Sequence, residues 1–417
     1  MNARLVRGLA ALTLVFWGCS CGAKRVAPDS AGTSVAAGPC GRGIVVVESD
    51  YQSSNVSLLG FDGTVLSPSF ASSSAENAGF SLTLAGDAVP PFSASTGSNL
   101  VLIDRTPKGV LHFVDLASAR VTSELVVGTG FSANPHDYLE LQPNKAYVPR
   151  YNSNPNPGQV PFDGGGDILI VDPSLPAISG RIDLSPAMNG EAANFTPNPS
   201  LVVRVNGRIF ALLASYANDF LSGTTSRLVE LDPNTDAILS TTLLDGLKGC
   251  DALALAPDQS TLAVACTGGD TLSDTPSIVA AGIALVDVAP KPALTKEFPA
   301  ATFGQNPIGF GIAYFGQNRL LFDTLGHLGA SVAEDALLRL DTSSGDFAEI
   351  LESQDQPFTL GDVRCAPECG ACFVADAERA GGSVLRFVSD ETGALGAPNP
   401  IRVESQIGLP PRYLGTF

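Results

Sequence analysis

The chain has 417 residues and sets 24 Lys plus Arg against 42 Asp plus Glu, a net charge of −18. That acidity argues against a nucleic-acid partner, because phosphate binding needs a basic face, and a hydrophobic content of 44% rules out intrinsic disorder. With 43 Gly and 30 Pro the chain does not suit long helices, so the composition points to a turn-rich, all-β protein large enough for a substantial core.

Arg4 and Arg7 precede an apolar stretch from Leu9 to Trp17. The stretch is too short to span a bilayer and reads as the hydrophobic part of a signal peptide. The following Phe16-Trp17-Gly18-Cys19 resembles the bacterial lipoprotein signal, in which a small residue precedes a Cys that is lipidated and becomes the mature N-terminus. Cys19 is the expected lipidation site, with Cys21 as a second candidate. The expected organisation is a signal at 1–18, a small-residue, flexible tether at 19–39 and one folded domain at 40–417. The resemblance implies a protein of the cell envelope, lipid-anchored to the outer membrane and periplasmic or surface-exposed.

The rest of the chain repeats. A short apolar run ending in or near Asp recurs seven times: VSLLGFD, GVLHFVD, DILIVD, RLVELD, GIALVD, ALLRLD and SVLRFVSD. Their last residues are Asp62, Asp115, Asp172, Asp232, Asp287, Asp341 and Asp390, 49 to 60 residues apart. Each run is followed by a turn and another alternating segment and preceded by a hairpin, which predicts four strands per unit, A to D. Pro135, Pro199, Pro307 and Pro357 open strand A, with Gly249 in that place in another copy. Proline suits a first strand position, where no ladder donor is lost. The strand IVVVE at 44–48 lacks its own strand A, and LPPRYLGTF at 409–417 is similar to the segment that opens the second unit. The expectation is an all-β, seven-bladed β-propeller of four-stranded blades, its ring closed by the C-terminal strand joining the first blade.

KAYVPRYN followed by GDILIVDP is similar to the YVTN-type propeller repeat of bacterial extracytoplasmic and surface-layer proteins. Tight agreement is confined to the third unit, 134–183. The resemblance implies a seven-bladed propeller outside the cytoplasm and little about activity, since propellers host many functions.

Six further cysteines in an exported chain favour disulfides. Cys250 begins a strand A and Cys266 ends the matching strand B, so the two face each other across an antiparallel pair. Cys365, Cys369 and Cys372 cluster at the last A–B turn, with Cys40 at the corresponding turn of the neighbouring first blade. Their pairing is open, with 365–372 and 40–369 favoured. The C-x3-C-x2-C spacing resembles a thiolate metal site, but a structural zinc needs four ligands and no His lies nearby.

The B–C loops at 150–166, 215–225, 268–277 and 323–335 are long and polar, and they share one face with the D–A connection at 185–199. This loop-rich face is the expected binding surface, for a protein or a small polar ligand with electropositive character. Its candidates are His136, Arg150, Tyr151, Asp219, Asp270, Asp323, His327 and Asp376. Neutral drift of loops on a tolerant scaffold is the alternative. His136 and His327 lack the nearby Ser, Cys or carboxylate that catalysis needs and read as loop-stabilising. Asp163 and Asp167 are weak metal candidates, their oxygens suiting Ca²⁺, although the run lacks a full calcium-loop ligand set. The Asp closing each strand C reads as turn-forming.

The leading functional expectation is a monomeric, membrane-anchored, non-enzymatic binding or scaffold module with no other cofactor. The rival is a propeller-type hydrolase or lactonase with channel carboxylates and a metal. The residues just past the strand-A opening, His136, Ser200, Cys250, Ile308 and Phe358, make a poor metal cage.

Overall fold

Blade formation follows from the pattern of burial. Strands B and C of each repeat are nearly continuous apolar runs, as in Ile44–Ser49 and Ser54–Leu59, whose residues are all buried. Such strands need cover on both faces, which stacked blades supply. Strand D alternates between partly buried and exposed residues, as in Ala177–Asp183, and belongs at the outer rim. This sandwiching also explains why only 16% of the chain is charged.

The computed structural model describes residues 30–417 except 75–78, 95, 270–277, 305, 328–332, 355–356, 379–381, 391–392 and 405. The signal segment, Cys19, Cys21 and Asp270 lie outside the described residues. Among the described residues, seven four-stranded antiparallel sheets are arranged as a propeller. Strand A runs at Pro411–Thr416, Ala88–Val89, Leu139–Gln142, Pro199–Val205, Cys250–Leu255, Ile308–Gly316 and Leu360–Ala366 in blades 1 to 7. Neighbouring A strands pack against one another around the axis.

The ring closes as expected. Pro411–Thr416 pairs antiparallel with Ile44–Ser49, setting Ile44 opposite Thr416 and Val46 opposite Leu414. Leu414 packs there with Ile44, Val46 and Phe373, joining blade 1 to blade 7. Three disulfides are present. Cys250 and Cys266 are register partners and bonded, as are Cys365 and Cys372. The third bond, Cys40–Cys369, joins residues 329 apart and ties the segment entering blade 1 to the A–B turn of blade 7.

Most aspartates that close strand C shape the next turn. Asp62 accepts the Thr64 N–H, Asp172 that of Ser174, Asp232 that of Asn234 and Asp341 those of Ser343 and Ser344. Asp287 differs, accepting the Thr261 hydroxyl instead.

Candidate functional site: an axial funnel

Strand A does not run straight along its partner. At the end nearer the long loops its register breaks in five blades. The breaks fall between Pro411 and Tyr413, Pro199 and Leu201, Cys250 and Ala252, Ile308 and Ile312, and Leu360 and Val363. A bulge leaves a residue out of the ladder and re-aims its side chain. Asp251 and Asp362 are such residues, and both line a cavity of about 750 Å³. Every blade contributes to its wall, from Tyr413 of blade 1 and Val89 of blade 2 round to Leu360 of blade 7. Tyr216, Phe220 and Leu325 come from the B–C side, so this funnel opens towards the loop-rich face.

Glycines bring the wall together. A Cβ on Gly361 would lie 2.4 Å from the Arg412 carbonyl oxygen, so only glycine lets the A strands of blades 7 and 1 approach this closely. In blade 6 a Cβ on Gly309 would lie 2.0 Å from the Asp323 carboxylate, which folds over that strand. The Gly311 N–H donates to Asp323 at 2.7 Å, and burial holds this carboxyl well above the usual range.

One side of the funnel is aromatic and acidic. The His136 ring stacks on Tyr151 at 4.2 Å, and Tyr151 stacks on Phe220 at 6.1 Å. Burial, with the Arg105 charge, keeps the His136 imidazole neutral. The Tyr151 hydroxyl donates to Asp251. Among the described residues, Oδ1 of Asp251 has no hydrogen-bond partner. Burial pushes this carboxyl up to about 7, against the Tyr151 bond, so it both holds and releases a proton near neutrality.

The opposite side is cationic. Arg105 pairs with Asp87 and donates to the Tyr413 hydroxyl at 2.9 Å. Arg364 and Arg412 stand beside it on the A strands of blades 7 and 1. Asp362 accepts the Leu414 N–H at 3.0 Å and bridges the same two blades. Below, Asp137 accepts N–H groups from Phe92, Tyr138 and Val202, latching blades 2, 3 and 4.

Of the residues expected from the sequence, His136, Tyr151 and Asp323 meet at the funnel. Arg150 requires a correction, for it is fully buried and cannot face a partner. It makes a two-point pair with Asp167, with both bonds at 2.8 Å, and also donates to Thr129 and to the Phe162 carbonyl. Asp376 is buried beneath the loops, where its carboxyl is raised to about 6 by burial. Asp219 accepts the Leu221 N–H in its own loop, and His327 forms a local bridge with Ala333. Asp335 accepts four backbone N–H groups, from Gly326, Phe358, Thr359 and Leu360. The described acids of this face are therefore largely engaged in holding loops.

The weak calcium candidates are engaged as well. Asp163 accepts the N–H groups of Gly158, Gln159 and Val160, while Asp167 faces Arg150 and Arg181. Among the described residues, no group of three or more His, Cys, Asp or Glu is placed to hold a metal, so the donor set does not fit a channel metal. Asp251, Asp362, Arg364 and Arg412 escaped the sequence reading. The available signal was Asp251 standing next to Cys250 at the opening of its strand.

No family model matches the chain, and no curated protein matches it in sequence. Solved structures do match its fold. A periplasmic gluconolactonase from Pseudomonas aeruginosa superposes with a TM-score of 0.57 at 12% identity, covering 89% of this chain and 98% of that one. A candidate 6-phosphogluconolactonase from Bacteroides fragilis gives 0.53 at 11%, covering 89% and 96%. A protein from Lactobacillus plantarum gives 0.57 at 10%, covering 89% and 98%. At these identities the likeness establishes the seven-bladed propeller fold.

Proposed function

We propose that the protein is an exported β-propeller of the YVTN type, lipid-anchored through Cys19, that hydrolyses a small cyclic ester in its axial funnel. The observation that carries the activity is the Asp251 carboxyl. It lines a cavity in the volume range of small-molecule sites, has among the described residues one oxygen without a partner, and is pushed up to about 7 by burial. Asp251 takes a proton from water as the water oxygen attacks the ester carbonyl carbon. The ring C–O bond then breaks, and the same carboxyl returns the proton to the leaving oxygen. Tyr151 orients Asp251 through its hydroxyl, and the aromatic stack offers a flat face to a ring. The names of the Pseudomonas and Bacteroides structures support a lactone as the substrate class. No step runs through a metal. Three disulfides support an oxidising compartment.

The activity is tested by pH-stat assay of purified protein against a panel of sugar lactones. Asp251→Asn is expected to lower kcat/KM by roughly 100-fold or more at an unchanged Tm, and chelator is expected to leave the wild-type rate intact. A wild type inert to every lactone, or an unimpaired variant, removes the reading. Anchoring is tested separately by metabolic labelling with palmitate. Label is expected on the wild type and absent from the Cys19→Ala/Cys21→Ala double variant, and label that survives the double change refutes the anchor.

A further inference from the structure

We propose that Arg364 and Arg412 form an oxyanion-binding subsite in the funnel, so that the ligand carries a carboxylate or phosphate group. The substrate assignment rests on the hydrolase reading above, whereas the anion binding stands without it.

The inference starts from unused donors. A guanidinium carries five N–H groups and is always charged. Arg364 commits one to the Val363 carbonyl at 3.1 Å, and Arg412 one to the Phe358 carbonyl at 3.0 Å. Among the described residues, the Nε of both is enclosed and lacks a partner. Arg364 forms a long ion pair with Asp362 at 3.8 Å, beyond hydrogen-bond reach, and its charge also reaches Asp137, but both carboxylates accept backbone N–H groups instead. Arginines enclosed elsewhere in the fold are treated differently. Arg105, Arg150, Arg208 and Arg227 each hold a carboxylate at 2.8 Å or less. Arg364 and Arg412 thus put two cations without a close carboxylate on one cavity wall.

Geometry supplies the rest. The two residues sit on A strands pressed together at Gly361. Each guanidinium is braced on an aromatic face, Arg364 over Phe92 and Arg412 over Tyr51, both at 5.3 Å. Both residues line the cavity with donors to spare, and arginine pairs recognise planar or tetrahedral oxyanions best. The His136–Tyr151–Phe220 stack lines another side of the same cavity. The ligand that fits has an anionic end against blades 7 and 1 and a ring against blades 3 and 4.

The test is calorimetric titration of the full chain with D-gluconate and with inorganic phosphate, using D-glucose as the neutral control. Saturable binding of at least one anion is expected, with no heat from D-glucose. Which anion binds identifies a carboxylate or a phosphate as the source. Arg364→Gln and Arg412→Gln are each expected to weaken binding at least tenfold, while Arg412→Lys, should the Gln variant misfold, retains the charge and loses several-fold. Absence of anion binding, or arginine variants that bind normally, overturns the subsite even if lactones are hydrolysed. Anion binding without lactone hydrolysis preserves the subsite and removes the hydrolase reading.

Discussion

Carboxyl groups in this protein divide by what surrounds them. Those at turns, such as Asp62 and Asp341, accept backbone N–H bonds and are held below their ordinary range. Several inside, among them Glu48, Asp137 and Asp251, are pushed the other way. Glu48, in a buried strand of blade 1, accepts from Asn55 and, at 2.9 Å, from Ser57, yet burial outweighs both bonds. With Glu404 adding repulsion, its pKa rises to about 8 from 4.5. Above the unfolded value the unfolded chain releases this proton and the native protein keeps it. Stability is therefore full below about 4.5 and falls as pH rises towards 8, by about 1.4 kcal/mol per pH unit for such a group at most. Asp137, raised to about 6 by burial, adds to the decline at its lower end. Thermal melts are expected to show a falling Tm from pH 5 to 8, and Glu48→Gln is expected to flatten that limb. A Tm that climbs over the same interval contradicts the assignment.

For strands and hairpins, legibility depended on regularity. Strand C announces itself because its apolar run ends at an Asp that in most blades bonds the following turn. The Cys250–Cys266 bond was readable because the two residues lie about equally far from the turn that joins their strands, although the bulge at Asp251 shifts the register by one before Cys250 meets Cys266. The irregular pieces were harder. Strand A of blade 2 is only Ala88–Val89, and strand D of blade 7 only Asn399–Ile401, too short for any periodic signal. The funnel was the least legible part, and the bulges explain why. Alternation assigns inward and outward faces by twos, and one extra residue reverses the assignment. Counting one position past the strand opening selected Cys250, while the bulge presents Asp251. The same shift brings Asp362 to the wall in blade 7. Arg150 misled for a related reason, since its position after strand B resembles a loop residue until Asp167 is seen opposite it.

Across the whole molecule, packed cores join each blade to the next, and the closure of the ring adds a shared sheet and a disulfide at one seam. Blade 1 draws three strands from 44–72 and its fourth from Pro411–Thr416, while Cys40–Cys369 ties the same two blades by a covalent bond. Removing residues 409–417 deletes a strand, exposes the edge of Ile44–Ser49 and strips Leu414 and Phe417 from two core clusters. Each buried apolar side chain of that size is worth about 1.5–3 kcal/mol. The truncated protein is expected to melt at least about 5 °C lower, as read by calorimetry. A truncation that melts like the parent means the seam contributes nothing.

That seam also imposes an order on assembly. A polypeptide is made from its N-terminus, so the strands of 44–72 exist long before their partner at 411–416. Until the partner arrives, Ile44–Ser49 has an unpaired edge flanked mostly by apolar side chains, the kind of edge that recruits strands from other molecules. A stretch synthesised long after the first blade's own strands is thus the one that makes that blade safe. Cys40 and Cys369 become neighbours only when blades 1 and 7 meet, so their bond marks, molecule by molecule, which chains have completed the circle.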